Sequence, residues 1–205
     1  EPQTPQDLLI LIGSGLIGSL TFAFTDTLWF NAVEAEVYAI SALFTAAIVW
    51  LILLWLEKSD EAYADRYLLI IAYLVGLAIG VHLLMILALP AIALIVYFRL
   101  LDKKGEKISL TNFTVFGLLT AAIFVVIYPG VVQYIPVMAS RLGLWSLLLL
   151  LLAVLAAIYW AVTNEKRYLS IAFMSLMLVL VGYSTYSMIY IRSGLNPEID
   201  ENDPE

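Results

Sequence analysis

The sequence predicts an all-α fold, a polytopic transmembrane helix bundle of about seven spans that forms one transmembrane domain over residues 1–205. Hydrophobic residues make up 63% of the chain and charged residues 13%, and the mean hydropathy is +0.97, which lies outside the range of soluble proteins. Residues 8–25 and 37–56 carry no charge, and about 20 apolar residues cross a ~30 Å hydrocarbon core as a helix. No run alternates with period two, which excludes the strands of a membrane barrel.

The mostly apolar stretch 67–98 is too long for one ordinary span and short for two. Two helices over 67–82 and 84–98 place both flanking loops on the same side of the membrane. These loops carry six cations: Lys58, Arg66, Arg99, Lys103, Lys104 and Lys107. Positive charge concentrates on the cytoplasmic face, which favours two helices over one. Gly80 and Pro90 also weaken a continuous helix.

The remaining spans are predicted at 113–128, 142–162 and 169–190. Of the ten basic residues, only Arg141 and Arg192 then face outward, which supports this topology. The outer face also receives three further segments: the acidic segment 26–36, a loop at Tyr128-Pro129-Gly130 and an outward-facing tail, 191–205, that leads toward a further region.

The acidic segment between the first two spans contains Asp26, Glu34 and Glu36. A carboxylate at membrane depth costs roughly 2.5–3.5 kcal/mol, so acids beside a span usually face a cavity and serve a function. The alternative is a solvated loop. On a helix, Glu34 and Glu36 would point about 200° apart, so they share a site only where the backbone is not helical. If the helix has already begun, Glu36 is favoured over Glu34 because it lies deeper.

Three polar residues are predicted at the outer membrane boundary. His82 closes the short span 67–82, and Arg141 and Arg192 lie at the same level. Cations on this face are candidates for binding the phosphate of an anionic lipid through charge-assisted hydrogen bonds. The alternatives are packing for His82 and interfacial snorkelling for the two arginines.

Two glycine patterns are best explained by helix packing. The segment Gly13-Ser-Gly15-Leu-Ile-Gly18 matches the dinucleotide-binding pattern, but it lies inside a predicted span and lacks the strand and the βαβ unit that the pattern requires. Its glycines predict a close-packing helix face. Gly76 and Gly80, four residues apart, predict another.

Charge and composition exclude several classes of partner and site. A net charge of −7 argues against a nucleic-acid partner, which would require a basic face. The absence of cysteine excludes disulfides and thiolate metal sites. One histidine excludes a multi-histidine metal site. Carboxylates with water are a ligand set that Mg²⁺ or Mn²⁺ accepts, so a divalent metal remains open.

Three blocks of sequence resemble a known family. They are residues 24–39 (Phe24-Thr-Asp26-Thr-Leu-Trp29 through Glu34-Ala-Glu36-Val-Tyr38-Ala), residues 76–84 around His82, and Ile191-Arg192-Ser-Gly-Leu-Asn196-Pro197 with the acidic residues 200–205. These blocks look like a bacterial multipass membrane family long labelled as a domain of unknown function. That family is similar to the animal transmembrane enzymes that O-mannosylate plexin-type domains. The resemblance covers nearly the whole chain.

The resemblance implies a glycosyltransferase of the GT-C type in the bacterial cytoplasmic (inner) membrane. Outward loops of such an enzyme bind a polyprenyl-phosphate sugar and a protein or glycan acceptor on the extracytoplasmic side. The acids Asp26, Glu34 and Glu36 would be catalytic or position the acceptor or a metal. His82, Arg192 and Arg141 would bind the lipid phosphate.

The chain departs from the family pattern in one respect. Members carry a further acidic block, near Trp-Asp-Cys-Gly-Glu, in the first outward loop, and this sequence lacks it. The chain therefore looks like an internal fragment that is preceded by two more helices and that loop.

Two other functions remain open on the sequence. A transporter or lipid flippase is one, although residues 1–98 and 99–205 show no internal repeat and no charge lies in the middle of a span. A non-catalytic subunit of an envelope complex is the other.

Overall fold

The computed structural model describes residues 4–33, 37–188 and 192. These residues form helices and turns and contain no strand, which confirms the predicted all-α class. The chain divides into two compact units, Glu1–Leu43 (unit 1) and Phe44–Glu205 (unit 2). The boundary falls inside a helix, and each unit is described by itself. Apart from Arg192, the predicted tail 191–205 lies outside the described residues.

Unit 1 contains α1 (Pro5–Ala23), α2 (Asp26–Val33) and the start of α3 (Tyr38–Lys58). A capping box begins α1, because the Thr4 hydroxyl accepts from the Asp7 backbone N–H at 3.1 Å and the Asp7 carboxylate accepts from the Thr4 N–H at 3.0 Å. Neither α1 nor α2 contains a buried residue among those described.

The described part of unit 2 contains the rest of α3, six more α-helices, one 3₁₀ turn and one π-helical segment. The elements are α4 (Asp65–Val81), a 3₁₀ turn (Leu83–Leu87), α5 (Ala88–Lys104), α6 (Leu110–Val125), a π-helical segment (Val126–Tyr134), α7 (Ile135–Leu142), α8 (Trp145–Thr163) and α9 (Arg167–Ser184).

Six helices in the described part of the chain are long and apolar enough to cross a membrane. They are Pro5–Ala23, Tyr38–Lys58, Leu83–Lys104, Leu110–Leu142, Trp145–Thr163 and Arg167–Ser184. The seventh predicted span, 67–82, corresponds to α4, which is apolar but has only 17 residues. The structure therefore supports a multipass membrane protein.

The stretch 67–98 forms two helices, as the positions of the basic residues predicted. The break lies at His82, whose backbone is extended, with φ −149° and ψ 115°. The 3₁₀ turn follows directly and leads into α5. Pro90 lies in the first turn of α5, where its missing N–H would have no partner within the helix.

The predicted outer loop at Tyr128-Pro129-Gly130 is wrong. Residues Leu110–Leu142 form one helical run that includes the π-helical segment around Pro129. Proline removes a backbone donor and clashes within an α-helix, and the wider π turn accommodates the interruption without ending the helix. The turn lies instead at Gly143, whose φ of 80° suits glycine.

The core of unit 2 is an apolar cluster of buried side chains. It joins Ile48, Ile52 and Trp55 of α3 to Ile71, Val75 and Ile79 of α4, and it includes Ile86 of the 3₁₀ turn and Ile127 of the π-helical segment. The 3₁₀ turn and the π-helical segment therefore each contribute a residue to this core.

The closest helix contact is between α4 and α9, which run parallel. A Cβ added to Gly76 would clash with the Val179 backbone, and one added to Gly182 would lie 2.5 Å from the Tyr73 carbonyl oxygen. The predicted packing role is confirmed for Gly76. By contrast, Gly13, Gly15 and Gly18 would have no atom within 4 Å of an added Cβ, so the described residues provide them with no packing partner.

Three loops that are flanked by basic residues meet at one end of unit 2, which we call the basic end. Arg99 and Lys103 pair with Asp60 at 2.6 and 3.1 Å. Arg167 pairs with Asp65 at 2.8 Å. The loops after α3, after α5 and before α9 therefore lie at the same end, as the predicted topology requires.

Candidate functional site

Asp26 is the first residue of α2 and follows a short break in the chain after α1. Thr25 shapes this break, since its hydroxyl donates to the Phe22 carbonyl oxygen at 2.8 Å and accepts from the Leu28 backbone N–H at 3.3 Å. Asp26 is exposed. The sequence thus presents a carboxyl group directly after an apolar span.

Asp26 is the member of the predicted acidic set that the structure describes. Its side chain makes no hydrogen bond or ion pair with the described residues. Glu34 and Glu36 lie outside the described residues. Within the described part of the chain, no group of three His, Asp or Glu side chains could hold a metal ion. A divalent metal at the acidic segment stays a prediction.

His82 lies at the turn between α4 and α5. Its backbone N–H donates to the Ala78 carbonyl oxygen at 2.8 Å, and its own carbonyl oxygen accepts from the Met85 N–H at 3.0 Å. The residue is half-buried. Backbone hydrogen bonds on both sides of the break hold it at the C-terminal end of α4.

Arg141 lies in the last turn of α7, just before Gly143, and is exposed. A cation at this position complements the negative end of the helix dipole. Arg192 is also exposed. Arg141 further lines a groove of about 600 Å³ between the Val126–Leu142 part of the long helix, α8 and α9.

His82 and Arg141 lie at the end of unit 2 opposite the basic end. From Asp65, the 17 residues of α4 extend about 26 Å before His82. The C-terminal end of α8 lies next to the start of α9. The 19 residues of α8 therefore span about 28 Å between the basic end and the turn beside Arg141. These lengths match a hydrocarbon core of ~30 Å. Asp26 belongs to unit 1 and is described only within that unit.

Two features of unit 2 were not predicted from the sequence. One is the groove beside Arg141, because the Tyr128-Pro129-Gly130 segment was interpreted as a loop. The other is the role of Asp60, which binds two cations of α5. The sequence contains a signal for the role of Asp60, because this acid lies among the predicted cytoplasmic cations. It contains no such signal for the groove.

Hydrogen bonds to Lys103 and Arg99 lower the pKa of Asp60 below its ordinary value of 3.8. The Lys103 hydrogen bond is the largest cause, and a loss of hydration around the carboxyl opposes it. Arg99 additionally donates to the buried hydroxyl of Ser59 at 2.7 Å, and Lys103 donates to the Ser59 carbonyl oxygen. Asp60 therefore stays ionised and ties the end of α3 to the end of α5.

Comparison with known proteins identifies the family. The family model described as the N-terminal domain of protein O-mannosyl-transferase TMEM260 matches residues 1–106. Neither a curated protein nor a solved structure matches the chain. The matched residues contain Asp26, the acidic segment and His82, whereas Arg141 and Arg192 lie beyond them. Since the match covers just over half of the 205 residues, the chain belongs to the TMEM260 N-terminal domain family.

Proposed function

We propose that this chain is part of a membrane glycosyltransferase of the GT-C type. It transfers a sugar from a polyprenyl-phosphate donor to a protein or glycan acceptor at the extracytoplasmic face of a bacterial cytoplasmic membrane. The observation that carries the proposal is the family match over residues 1–106, which includes the acidic segment and His82. The family's description as an O-mannosyl-transferase supports mannose as the first sugar to test.

The charge distribution of unit 2 supports the sidedness of the proposed site. The basic end contains the cations that flank three loops, and the Arg99–Asp60 and Arg167–Asp65 pairs join these loops. The positive-inside rule assigns such an end to the cytoplasm. His82 and Arg141, at the opposite end, then face the extracytoplasmic side, where a polyprenyl-phosphate sugar presents its headgroup.

The chemistry requires a base at the acceptor. The acceptor hydroxyl oxygen forms a bond to the anomeric carbon of the sugar as the bond from that carbon to the phosphate oxygen breaks. Polyprenyl phosphate leaves with the bonding electrons, and a carboxylate takes the hydroxyl proton. Asp26, Glu34 and Glu36 are the proposed carboxylates. A positioned general base contributes about 10²–10⁴-fold to the rate of such a step.

The leaving phosphate requires positive charge or hydrogen-bond donors. His82 and Arg192 are proposed to contact the donor phosphate, and Arg141 lies at the same end of unit 2 as His82. Preorganised donors of this kind stabilise charge that develops in the transition state. Mg²⁺ or Mn²⁺ held by the proposed carboxylates would be a further source of positive charge.

The test is a transfer assay on the full-length protein in detergent with radiolabelled polyprenyl-phosphate mannose and candidate acceptor proteins. We expect the Glu34→Ala/Glu36→Ala variant to lose transfer. A matched control is Glu57→Ala/Glu106→Ala, which removes two exposed acids near the basic end and should keep it.

Two outcomes of this assay would contradict the proposal. Full activity in the Glu34→Ala/Glu36→Ala variant would remove these acids from the site. No transfer by the wild-type protein from several sugar donors would favour a transporter, a lipid flippase or a non-catalytic envelope-complex subunit instead.

A further inference from the structure

The groove beside Arg141 is lined by three separate helical segments of unit 2. One wall is the Val126–Leu142 part of the long helix, and the other walls include Leu150 of α8 and Leu176 and Leu180 of α9. Its volume of about 600 Å³ lies within the usual range for small-molecule sites, ~300–1,000 Å³. Apart from Tyr134 and Arg141, its lining side chains are apolar.

The π-helical segment Val126–Tyr134 forms part of one wall of this groove. The wide turn keeps Val126–Tyr134 helical past Pro129 and places Gly130, which has no side chain, on the groove wall. Because Gly130 lines the groove, a larger side chain at this position would occupy part of its volume.

Arg141 supplies the charge of the groove. Its guanidinium makes no ion pair or hydrogen bond with the described residues. The acids Asp60 and Asp65 pair with cations at the basic end, about 28 Å away along α8 by its length. An arginine at the edge of a membrane span lies at the level of the lipid phosphates. The groove therefore combines apolar walls with an unpaired cation at phosphate depth.

We propose that this groove binds one anionic glycerophospholipid, with an acyl chain along its apolar walls and the phosphate on Arg141. The helices that form it have the length and composition of membrane spans, so bulk lipid surrounds its open side. Charge complementarity selects an anionic headgroup, because no carboxylate lines the groove. A polyprenyl chain is several times longer than an acyl chain and would extend well beyond this volume. The inference requires only that unit 2 spans a membrane and is independent of sugar transfer.

Two variants and their controls test the site. Arg141→Gln removes the charge from an exposed position, and Leu176→Trp fills the groove from α9. The matched control for charge is Arg66→Gln at the basic end. The matched control for size is Leu118→Trp, at an α6 side chain that is 67% exposed and does not line the groove. Thermal melting in detergent checks that each variant is folded.

Native mass spectrometry of the full-length protein, with phosphatidylglycerol titrated against phosphatidylcholine, measures the binding. We expect one tightly bound phosphatidylglycerol. Arg141→Gln and Leu176→Trp should each weaken its binding at least tenfold, and the two controls should leave it unchanged. Inorganic phosphate alone should not displace it, because the acyl chain contributes to binding.

Three results would overturn the proposal. The first is equal binding of phosphatidylcholine and phosphatidylglycerol, which would show that Arg141 does not select an anionic headgroup. The second is unchanged phosphatidylglycerol binding in folded Arg141→Gln and Leu176→Trp. The third is displacement of phosphatidylglycerol by an equimolar amount of undecaprenyl phosphate, which would assign the groove to a carrier lipid.

Discussion

Gly76 of α4 and Gly182 of α9 pack backbone against backbone. A Cβ added to Gly182 would lie 3.0 Å from the Gly76 carbonyl carbon and 2.7 Å from the Leu77 nitrogen. Small residues allow such an approach between membrane helices, where van der Waals packing contributes much of the association energy. This contact and the Arg167–Asp65 pair hold α4 and α9 parallel.

The first prediction concerns this contact. Gly182→Ala should destabilise the protein by about 1–3 kcal/mol, because the methyl group has no room and the two helices must separate. Gly117→Ala is the matched control, since a Cβ at that α6 position meets no atom within 4 Å. Thermal melting in detergent should show a lower midpoint for Gly182→Ala alone. Equal midpoints for the two variants would mean that the helices do not approach this closely.

The second prediction concerns pH and Asp60. Its pKa in the folded protein is below 3.8, so its contribution to stability is complete at pH values above its unfolded pKa and is lost as the pH falls through the lowered value. Unfolding measured between pH 7 and pH 2 should therefore show a loss of stability in wild type, below about pH 4, that Asp60→Asn lacks.

The control for Asp60 is Asp102→Asn. Asp102 binds Arg99 within the same helix at 2.8 Å, so its loss should leave the connection between α3 and α5 in place. If Asp102→Asn and Asp60→Asn destabilised the protein equally at pH 7, Asp60 would have no special role in joining these helices.

The third prediction is a coupling energy between Arg167 and Asp65. Both Nε and one terminal nitrogen of Arg167 donate to the same Asp65 oxygen, at 3.0 and 2.8 Å. Arg167 is largely exposed, so solvent screens the pair, and a double-mutant cycle with Arg167→Ala and Asp65→Ala should give about 0.2–1 kcal/mol. The coupling should fall in high salt. A coupling of zero at low salt would show that the pair does not hold the two helices together.

The fourth prediction concerns Asp26 under the proposed function. Asp26→Asn keeps the size of the side chain and removes its charge, so transfer should fall by about 10²–10⁴-fold if this carboxylate is the base. Asp7→Asn is the matched control, because Asp7 is also an acid in the first turn of a helix but is not assigned to the site. Sugar transfer by the full-length protein, measured beside thermal melting, distinguishes lost chemistry from lost folding. Equal activities in the two variants would exclude Asp26 as the base.

Helix positions were the most predictable part of this protein. The break at His82 followed from the distribution of cations, and the structure has it there. The helical run through Pro129 was not predictable in the same way, because proline and glycine together are typical of a turn. Packing around Ile127 and Val131, which are both buried, stabilises the π-helical alternative, and this packing depends on residues distant in sequence.

The candidate site was predictable as a set of residues rather than as an arrangement. The structure has Asp26 as an exposed acid at a helix start, and His82 and Arg141 lie at one end of unit 2. Their roles, and those of Glu34, Glu36 and Arg192, stay predictions. The pairing of Asp60 with Arg99 could not be read from the chain, because the two residues are 39 positions apart and several other ion pairs were equally compatible with the sequence.

The sequence by itself determined the all-α membrane class, the positions of most helices and the end at which the cations gather. These properties depend on the hydrophobicity of each segment and on the charged residues that flank it. Only the tertiary structure decided that α4 packs against α9 through Gly76 and Gly182, that Asp60 joins α3 to α5, and that a groove opens beside Arg141. Each of these depends on which surfaces meet after folding, and long-range packing, unlike hydrophobic length, leaves no local pattern along the chain.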